Sequence, residues 1–272
     1  MSIKIGASYL IIRSIFLLLF VSSLSGCGLI RGAMAYFQST EAFNELNSSG
    51  IFYEDKSRDQ AVLVKPLLLP AIDTVERKQY KPFSQKVSVY ICGSEESFSK
   101  YSGAPKMARG AVFNGKLFIS PRAIETHTLK SILIHELSHL HFHQYVGNRR
   151  YASNIPPWFQ EGLAVDVSEG GGAESVSLEE AKQNMLNGNS FEPNSSGSLF
   201  FPKTAFSFSL EPHMFYRQSS MFVGYLRENS PVAFKSLVLM LLDDEEFEVA
   251  FTKAYGKSIN QSWMEYVDAI KT

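Results

Sequence analysis

The sequence predicts a mixed α+β fold, in which a small sheet region near the N-terminus is followed by helices. Short apolar runs of the kind that form strands occupy residues 87–92, 111–113 and 116–120. The last two runs flank Asn114-Gly115, a dipeptide that tolerates positive φ at both central positions of a tight hairpin turn. From residue 128 onward, apolar residues recur mainly at helical spacing. With 272 residues, 45% of them hydrophobic and 19% charged, the chain can bury a substantial core.

The first residues are predicted to be a signal peptide. Lys4 and Arg13 precede an apolar run, residues 14–24, that has only about half the length of a membrane-spanning helix. The run ends in Leu24-Ser25-Gly26-Cys27, which resembles the lipobox of bacterial lipoproteins, where the chain is cut just before a cysteine. The resemblance implies that residues 1–26 are removed and that Cys27 receives the lipid. The alternative is an ordinary signal peptide with an accidental cysteine.

The lipobox resemblance also implies a location. Gly28, rather than aspartate, follows the cysteine, which implies the periplasmic face of the outer membrane in a Gram-negative cell envelope. Removal of residues 1–26 deletes Lys4 and Arg13 and no acid, so the formal net charge moves from −1 to −3. Neither value suggests binding to nucleic acid. Cys92 is left without an intramolecular partner and is predicted to be a buried structural thiol.

The rest of the chain is predicted to form a tether and one domain. Residues 27–50 end in Asn47-Ser48-Ser49-Gly50 and are predicted to be a tether with one short helix around 35–46. The domain, residues 51–272, divides into a sheet-bearing part (about 51–125), two central helices (about 126–170) and a helical C-terminal part (about 171–272). A charged helical segment is expected at 72–80 in the first part.

Prolines, glycines and capping residues indicate where the helices begin and end. The first central helix covers 128–145, with Gly147 as a stop, and the second starts at Pro156-Pro157 and runs to about Val167. The stretch 187–209 is predicted to be mainly loop and to border a cleft. Three further helices are predicted near 178–186, from Ser230-Pro231, and from Ser258 with Gln261 three residues later.

The strongest chemical signal is His135-Glu136-Leu137-Ser138-His139. Two histidines four residues apart project from one face of a helix, so both can bind one zinc ion. Glu136 lies about 100° around the helix from His135, close enough to accept a proton from a water molecule at the metal. A chance match to this pattern is expected on the order of once in a hundred such sequences.

A catalytic zinc ion also needs a third protein ligand and an open position for water. Metzincins have a glycine and then a third histidine after the motif, but Phe142 and Tyr145 stand at those places. Residues 157–164, Pro-Trp-Phe-Gln-Glu-Gly-Leu-Ala, resemble instead the second motif of gluzincins, with Glu161 22 residues after His139. The chain therefore resembles a peptidase MA-like gluzincin, chiefly over residues 132–164.

This resemblance implies a fold, a metal site and a reaction. The fold would be gluzincin-like, with the small sheet followed by the HExxH helix, the glutamate helix and the helical C-terminal part. One Zn²⁺ ion would be held by His135, His139 and Glu161. Glu136 would act as general base in the hydrolysis of a peptide or protein substrate.

Several positions around the site are open to two interpretations. Val165 stands where thermolysin-like enzymes have an aspartate that orients a ligand histidine, so the next residue, Asp166, either takes that role or faces solvent. Tyr216 is the preferred donor to the oxyanion, with a merely packed aromatic ring as the alternative, and His213 is the weaker candidate. The strand at 116–120 is either the sheet edge to which an extended substrate adds or an ordinary core strand.

The sequence thus predicts a lipid-anchored zinc metallopeptidase that acts on extracytoplasmic proteins or peptides. The alternative is a non-catalytic envelope lipoprotein that keeps a peptidase-like scaffold as a binding or assembly factor, because fold and function can separate. A structural zinc site fits poorly, since such sites usually have four protein ligands. His141 and His143 are predicted to line the helix surface or the cleft rather than to bind the metal.

Overall fold

The computed structural model describes residues 31–124 and 127–271, so the predicted signal peptide and Cys27 lie outside the described residues. The fold is mixed α+β, as predicted, with a five-stranded sheet in the N-terminal part and helices after it. The strands are β1 (Asn44–Glu45), β2 (Ile51–Tyr53), β3 (Val89–Ile91), β4 (Gly110–Phe113) and β5 (Lys116–Ile119). The helices are α1 (31–36), α2 (Arg58–Gln79), α3 (Glu95–Ser102), α4 (Pro121–Ile124), α5 (Leu129–Asn154), α6 (Pro157–Val167), α7 (Leu178–Leu186), α8 (Pro212–Asn229), α9 (Pro231–Leu242), α10 (Phe247–Tyr255) and α11 (Ile259–Lys271). Short 3₁₀ turns lie at Asp55–Ser57 and Ala205–Phe208.

The sheet has the strand order β1-β2-β3-β5-β4. Strands β2, β3 and β5 are parallel to one another, and β1 and β4 pair antiparallel at the two edges. The β4–β5 hairpin turns at Asn114 and Gly115, whose φ angles of 48° and 71° are both positive, so the predicted hairpin is confirmed. Of the two interpretations of the strand at 116–120, the core strand is confirmed and the sheet edge is wrong, because β5 lies between β3 and β4. The edge strand of this hairpin is β4.

Alternating side chains of the strands supply two cores. Val89, Ile91 and Leu117 belong to a large core that extends through α2, α5 and α6 to the C-terminal helices. Tyr90 and Phe118 point to the opposite face, where a smaller aromatic cluster lies. The large core is therefore what holds the HExxH helix against the sheet.

The segment before residue 51 packs on the domain, which corrects the prediction of a tether over the described residues. Ala35, Phe43 and Leu46 are buried, and β1 pairs with β2. The predicted helix at 35–46 is wrong over most of its length, since the helical residues are 31–36 and Asn44–Glu45 is a strand. The apolar side chains of Phe43 and Leu46 explain the difference, because both are buried against the two faces of the sheet and burial of apolar surface stabilises this arrangement.

Helix α2 is longer than the charged segment predicted at 72–80. Pro66 and Pro70 lie inside it, and a proline lacks the backbone N–H that an uninterrupted helix needs. Both prolines are on the exposed face, whereas Val64 and Leu68 are buried. Packing of the buried face against the core therefore outweighs the two missing backbone hydrogen bonds.

Helix α6 has the predicted limits and α5 begins where predicted, but the predicted end of α5 before Gly147 is wrong. Helix α5 is interrupted at Gly147, where φ is 73° and ψ is 159°, and helical turns then resume as far as Asn154. Helix α6 starts at Pro157, and α7 has the predicted limits. Helix α6 approaches α8 closely at Gly162, where a Cβ atom would lie 2.7 Å from the carbonyl oxygen of Ser219. Glycine at position 162 thus lets the glutamate helix sit directly on α8.

The predicted C-terminal helices are present as well. Helix α9 begins at Pro231, and Ser258 and Gln261 exchange hydrogen bonds at the start of α11. Within residues 31–124 and 127–271, no helix combines the length and apolar character that a membrane span requires.

Candidate metal centre

Helices α5 and α6 bring His135, His139 and Glu161 together, as the two sequence motifs predict. Nε2 of His135 lies 3.1 Å from Nε2 of His139, and Oε2 of Glu161 lies 3.4 Å from the former and 3.7 Å from the latter. The three side chains are 6%, 13% and 22% exposed. In the part of the chain that the structure describes, no other group of three or more histidine, cysteine or acidic side chains converges in this way. The triad can therefore hold a metal ion.

The spacing of the three ligand atoms fits a tetrahedral ion. With metal–ligand bonds of about 2.0–2.1 Å, neighbouring corners of a tetrahedron lie about 3.3 Å apart. The observed separations of 3.1, 3.4 and 3.7 Å lie around that value. Two imidazole nitrogens and one carboxylate oxygen suit zinc and related ions, and the remaining corner is available to water or substrate.

The other ring nitrogen of each histidine already has a partner. Nδ1 of His135 lies 2.8 Å from the carbonyl oxygen of Gly171, and Nδ1 of His139 lies 2.8 Å from Oη of Tyr151. Gly172 packs against the first ring so closely that a Cβ atom there would lie 2.7 Å from Cε1. These contacts fix both rings with Nε2 turned toward Glu161, which leaves the two Nε2 atoms for an ion.

Two members of the triad, His139 and Glu161, have pKa shifts that favour the binding of a cation. Burial lowers the pKa of His139 to about 3, against the opposing charge of Glu161, so this ring is neutral at pH 7. Burial raises the pKa of Glu161, but its interactions with His139 and His135 outweigh burial, and the net shift is downward. For His135, burial lowers the pKa, but the hydrogen bond and charge of Glu161 outweigh it and the pKa is raised. A carboxylate and a neutral imidazole are the forms that bind metal.

Glu136 lies beside the triad and passes directly over the start of β4. A Cβ atom at Gly110 would lie 2.5 Å from Cγ of Glu136, so only glycine leaves room for this side chain. Burial raises the pKa of Glu136 to about 7, with the charges of His135 and Arg109 opposing the shift. A carboxyl group with a pKa near neutrality can both accept and release a proton.

An open cleft of about 1140 Å³ surrounds the triad and Glu136. The loop before β4 lines one side of it with Met107 and Arg109. Arg109 forms a 2.7 Å ion pair with Glu174 of the loop after α6. The predicted loop at 187–209 borders the cleft through Asn189 and Ser209. The cleft therefore has room for an extended ligand beside the candidate metal ligands.

Tyr216 and His213, on the first turns of α8, both line the cleft. The ring centre of Tyr216 lies 6.4 Å from that of His135. The negative charge of Glu161, and then burial, raise the pKa of Tyr216, so its hydroxyl remains a hydrogen-bond donor. Nδ1 of His213 lies 2.6 Å from Oγ of Ser175. Of the two candidate donors, Tyr216 is the one in ring contact with a histidine of the triad.

Asp166 does not orient either histidine of the triad, which corrects that interpretation. It forms an ion pair with Arg227 of α8, and it lies on the side of α6 that faces α8, near Gly224. The Nδ1 atoms of His135 and His139 have the other partners described above.

The remaining histidines of α5 and Cys92 lie outside the triad. Nε2 of the buried His141 lies 2.9 Å from the carbonyl oxygen of Lys81, and Nδ1 of His143 lies 2.6 Å from Oδ1 of Asn148. Cys92 is buried and free, as predicted, and burial raises the pKa of its thiol.

Three residues of the site were not predicted from the sequence. Gly171 supplies a carbonyl to His135, Gly110 makes room for Glu136, and Tyr151 contacts His139. The glycines at 170–172 follow the second central helix in sequence, and spacing alone does not predict that Gly171 reaches His135. Nothing in the sequence around Tyr151 indicated its contact.

No family model matches the chain, and no curated protein matches it either. The fold and the site together define a mixed α+β protein with a candidate metal centre of two histidines and one glutamate.

Proposed function

We propose that this protein is a zinc metallopeptidase of the gluzincin type that hydrolyses peptide bonds. The observation that carries the proposal is the convergence of His135, His139 and Glu161 at tetrahedral spacing, with Glu136 beside them in an open cleft. A zinc ion that only stabilised the fold would normally have four protein ligands, often thiolates. A structural zinc ion would also not require a further carboxyl group, that of Glu136, beside the fourth coordination position.

The residues of the site have separate tasks in this reaction. When bound, a Zn²⁺ ion would acidify a water molecule and polarise the carbonyl group of the scissile bond. Glu136 accepts the proton of the attacking water and delivers it to the leaving amine. Tyr216 donates a hydrogen bond to the oxyanion that develops on the substrate.

An extended substrate is proposed to add to β4. This strand is an edge of the sheet, and Gly110 at its start lines the cleft. An edge strand offers unpaired backbone groups with which a peptide can form hydrogen bonds as an additional strand. Because Gly110 contacts Glu136, a peptide on this edge would pass the general base.

Metal removal tests the proposed function. The chain from Cys27 onward is expected to contain one zinc ion, to cleave members of a peptide library, to lose cleavage with a chelator, and to regain it when zinc is added back. Metal content and cleavage products are measured by mass spectrometry. A folded protein that binds no metal and cleaves no peptide would favour the binding or assembly factor instead.

Replacement of Tyr216 by phenylalanine is expected to lower kcat by about 10²–10³-fold, as the loss of one oxyanion donor does elsewhere. Metal affinity and KM should change little, because the lost hydrogen bond forms mainly in the transition state. Tyr225→Phe, on the same helix but outside the cleft lining, is the control. An unchanged kcat in Tyr216→Phe would leave this tyrosine as a packed aromatic ring.

The proposed substrates are extracytoplasmic proteins or peptides because the lipobox resemblance implies a lipid on Cys27. The cell should incorporate labelled palmitate into the wild-type protein and not into Cys27→Ser, and the wild-type protein should fractionate with the outer membrane. Equal labelling of the two proteins would argue for an ordinary secreted enzyme.

A further inference from the structure

We propose that Tyr151 is a positioning residue of the metal centre. Its uncharged hydroxyl group holds His139 in the orientation that binds the metal ion. The inference rests on the proposed function, because it assumes that the triad binds a metal ion. The Oη atom of Tyr151 lies 2.8 Å from Nδ1 of His139, and Tyr151 is only 6% exposed. Water therefore has little opportunity to replace this contact.

The interruption of α5 at Gly147 is what brings Tyr151 to the histidine. In an unbroken helix, two residues 12 positions apart would be separated by about 18 Å along the axis, far more than a tyrosine side chain spans. The φ and ψ angles of Gly147, 73° and 159°, lie in a region that is essentially restricted to glycine. The chain can therefore turn there, and Tyr151 lies next to the helical turn that carries His139.

Tyr151 is held in place from several sides. Its ring lies 4.3 Å from that of His143 and 6.0 Å from that of Phe142, measured between ring centres. Its backbone carbonyl accepts a hydrogen bond from Nε2 of Gln160, the residue before Glu161. Tyr151 is thus connected to both helices that supply metal ligands, which is what a positioning residue requires.

The hydroxyl group can serve His139 in both of its neutral forms. When Nε2 binds a cation, the ring proton is on Nδ1, which then donates to Oη. When Nε2 carries the proton, the tyrosine hydroxyl donates to Nδ1 instead. The partner of His135 is a carbonyl oxygen, that of Gly171, which only accepts. Both rings are therefore oriented by uncharged groups, the hydroxyl of Tyr151 and the carbonyl of Gly171, and neither needs a carboxylate as its partner.

Metal affinity of the Tyr151→Phe variant tests the proposal. Metal-free wild-type and variant proteins are titrated with Zn²⁺ against a chelator of known affinity, and with Co²⁺ while the visible absorption is recorded. The variant is expected to bind Zn²⁺ about 10–100-fold more weakly and to give a changed Co²⁺ spectrum. Tyr255→Phe, which removes a hydroxyl that donates to the carbonyl of Leu226, should match the wild type in both.

A folded Tyr151→Phe protein with wild-type affinity and spectrum would overturn the proposal while leaving the proposed function intact. A wild-type protein that binds neither ion would overturn both. Circular dichroism of each variant is the check that it is folded.

A second variant tests the role of the helix interruption. A Cβ atom at Gly147 would meet nothing within 4 Å, so Gly147→Ala acts only through the backbone conformation. It should also weaken Zn²⁺ binding, and Tyr151→Phe added to it should cause little further loss, because the two residues act through one contact. Fully additive losses, or a Gly147→Ala protein with wild-type affinity, would contradict this step.

Discussion

Glu136→Gln is expected to abolish most of the peptide hydrolysis while the protein keeps its metal. The amide has nearly the shape of the carboxylate, so it fits the space that Gly110 leaves for it. It cannot accept a proton from the attacking water, and loss of a positioned general base costs about 10²–10⁴-fold in rate. Because Glu136 is not one of the three converging ligands, zinc content and zinc affinity should stay close to those of the wild type.

The measurement combines kcat/KM on a peptide from the library with metal analysis of the same sample. Glu248→Gln makes the same chemical change on the exposed surface of α10 and is the control. Full activity in a Glu136→Gln protein that retains zinc would contradict the role of general base. Loss of zinc together with activity would instead place Glu136 among the ligands.

The parts of the fold that the sequence predicted have local causes. The hairpin depends on two adjacent residues that tolerate positive φ, and both adopt it. Helices α6 and α9 begin at prolines, and Ser177, the residue before α7, forms a capping box with Glu180. Within the candidate site, the histidine pair follows from helical spacing, since residues four apart share a face whatever the rest of the chain does.

The parts that were missed depend on contacts between distant segments. Strand β5 is interior only because β3 pairs with it on the side opposite β4. The sequence of residues 116–120 does not predict that pairing. The carbonyl of Gly171 reaches His135 across 36 positions of sequence. Asp166 stands next to the expected position of an orienting carboxylate, but the direction of its side chain is decided by Arg227 on another helix. Sequence spacing therefore predicted the atoms that would bind the metal better than the groups that support them.

Glu161→Gln is expected to remove most of the metal affinity and, with it, the stabilisation that zinc gives. The glutamine has nearly the size of Glu161 but lacks its negative charge. Without that charge, the site offers a Zn²⁺ ion only two neutral imidazole rings and a neutral amide. Removal of one partner from a buried charged pair costs about 3–5 kcal/mol, which corresponds to about 10²–10⁴-fold in affinity. Gly162 beside it is packed on α8, so the helix should keep its place.

The stabilisation by zinc can be calculated from mass action. At a free zinc concentration about 100 times the wild-type Kd, the wild-type protein gains about 2.7 kcal/mol in free energy of unfolding. Binding that is at least about 100-fold weaker reduces this gain to below about 0.5 kcal/mol. Urea unfolding with and without zinc therefore separates the two proteins clearly.

Glu169→Gln is the matched control for this comparison, because Glu169 follows the same helix and its side chain is 81% exposed. It should gain as much stability from zinc as the wild type does. Should Glu161→Gln gain the full stabilisation as well, the third ligand would have to come from elsewhere in the cleft. The assignment of the site as a gluzincin centre would then fail even if Glu136→Gln behaved as expected. His135, Glu136 and His139 alone define only a zincin, and Glu161 as third ligand is what defines a gluzincin.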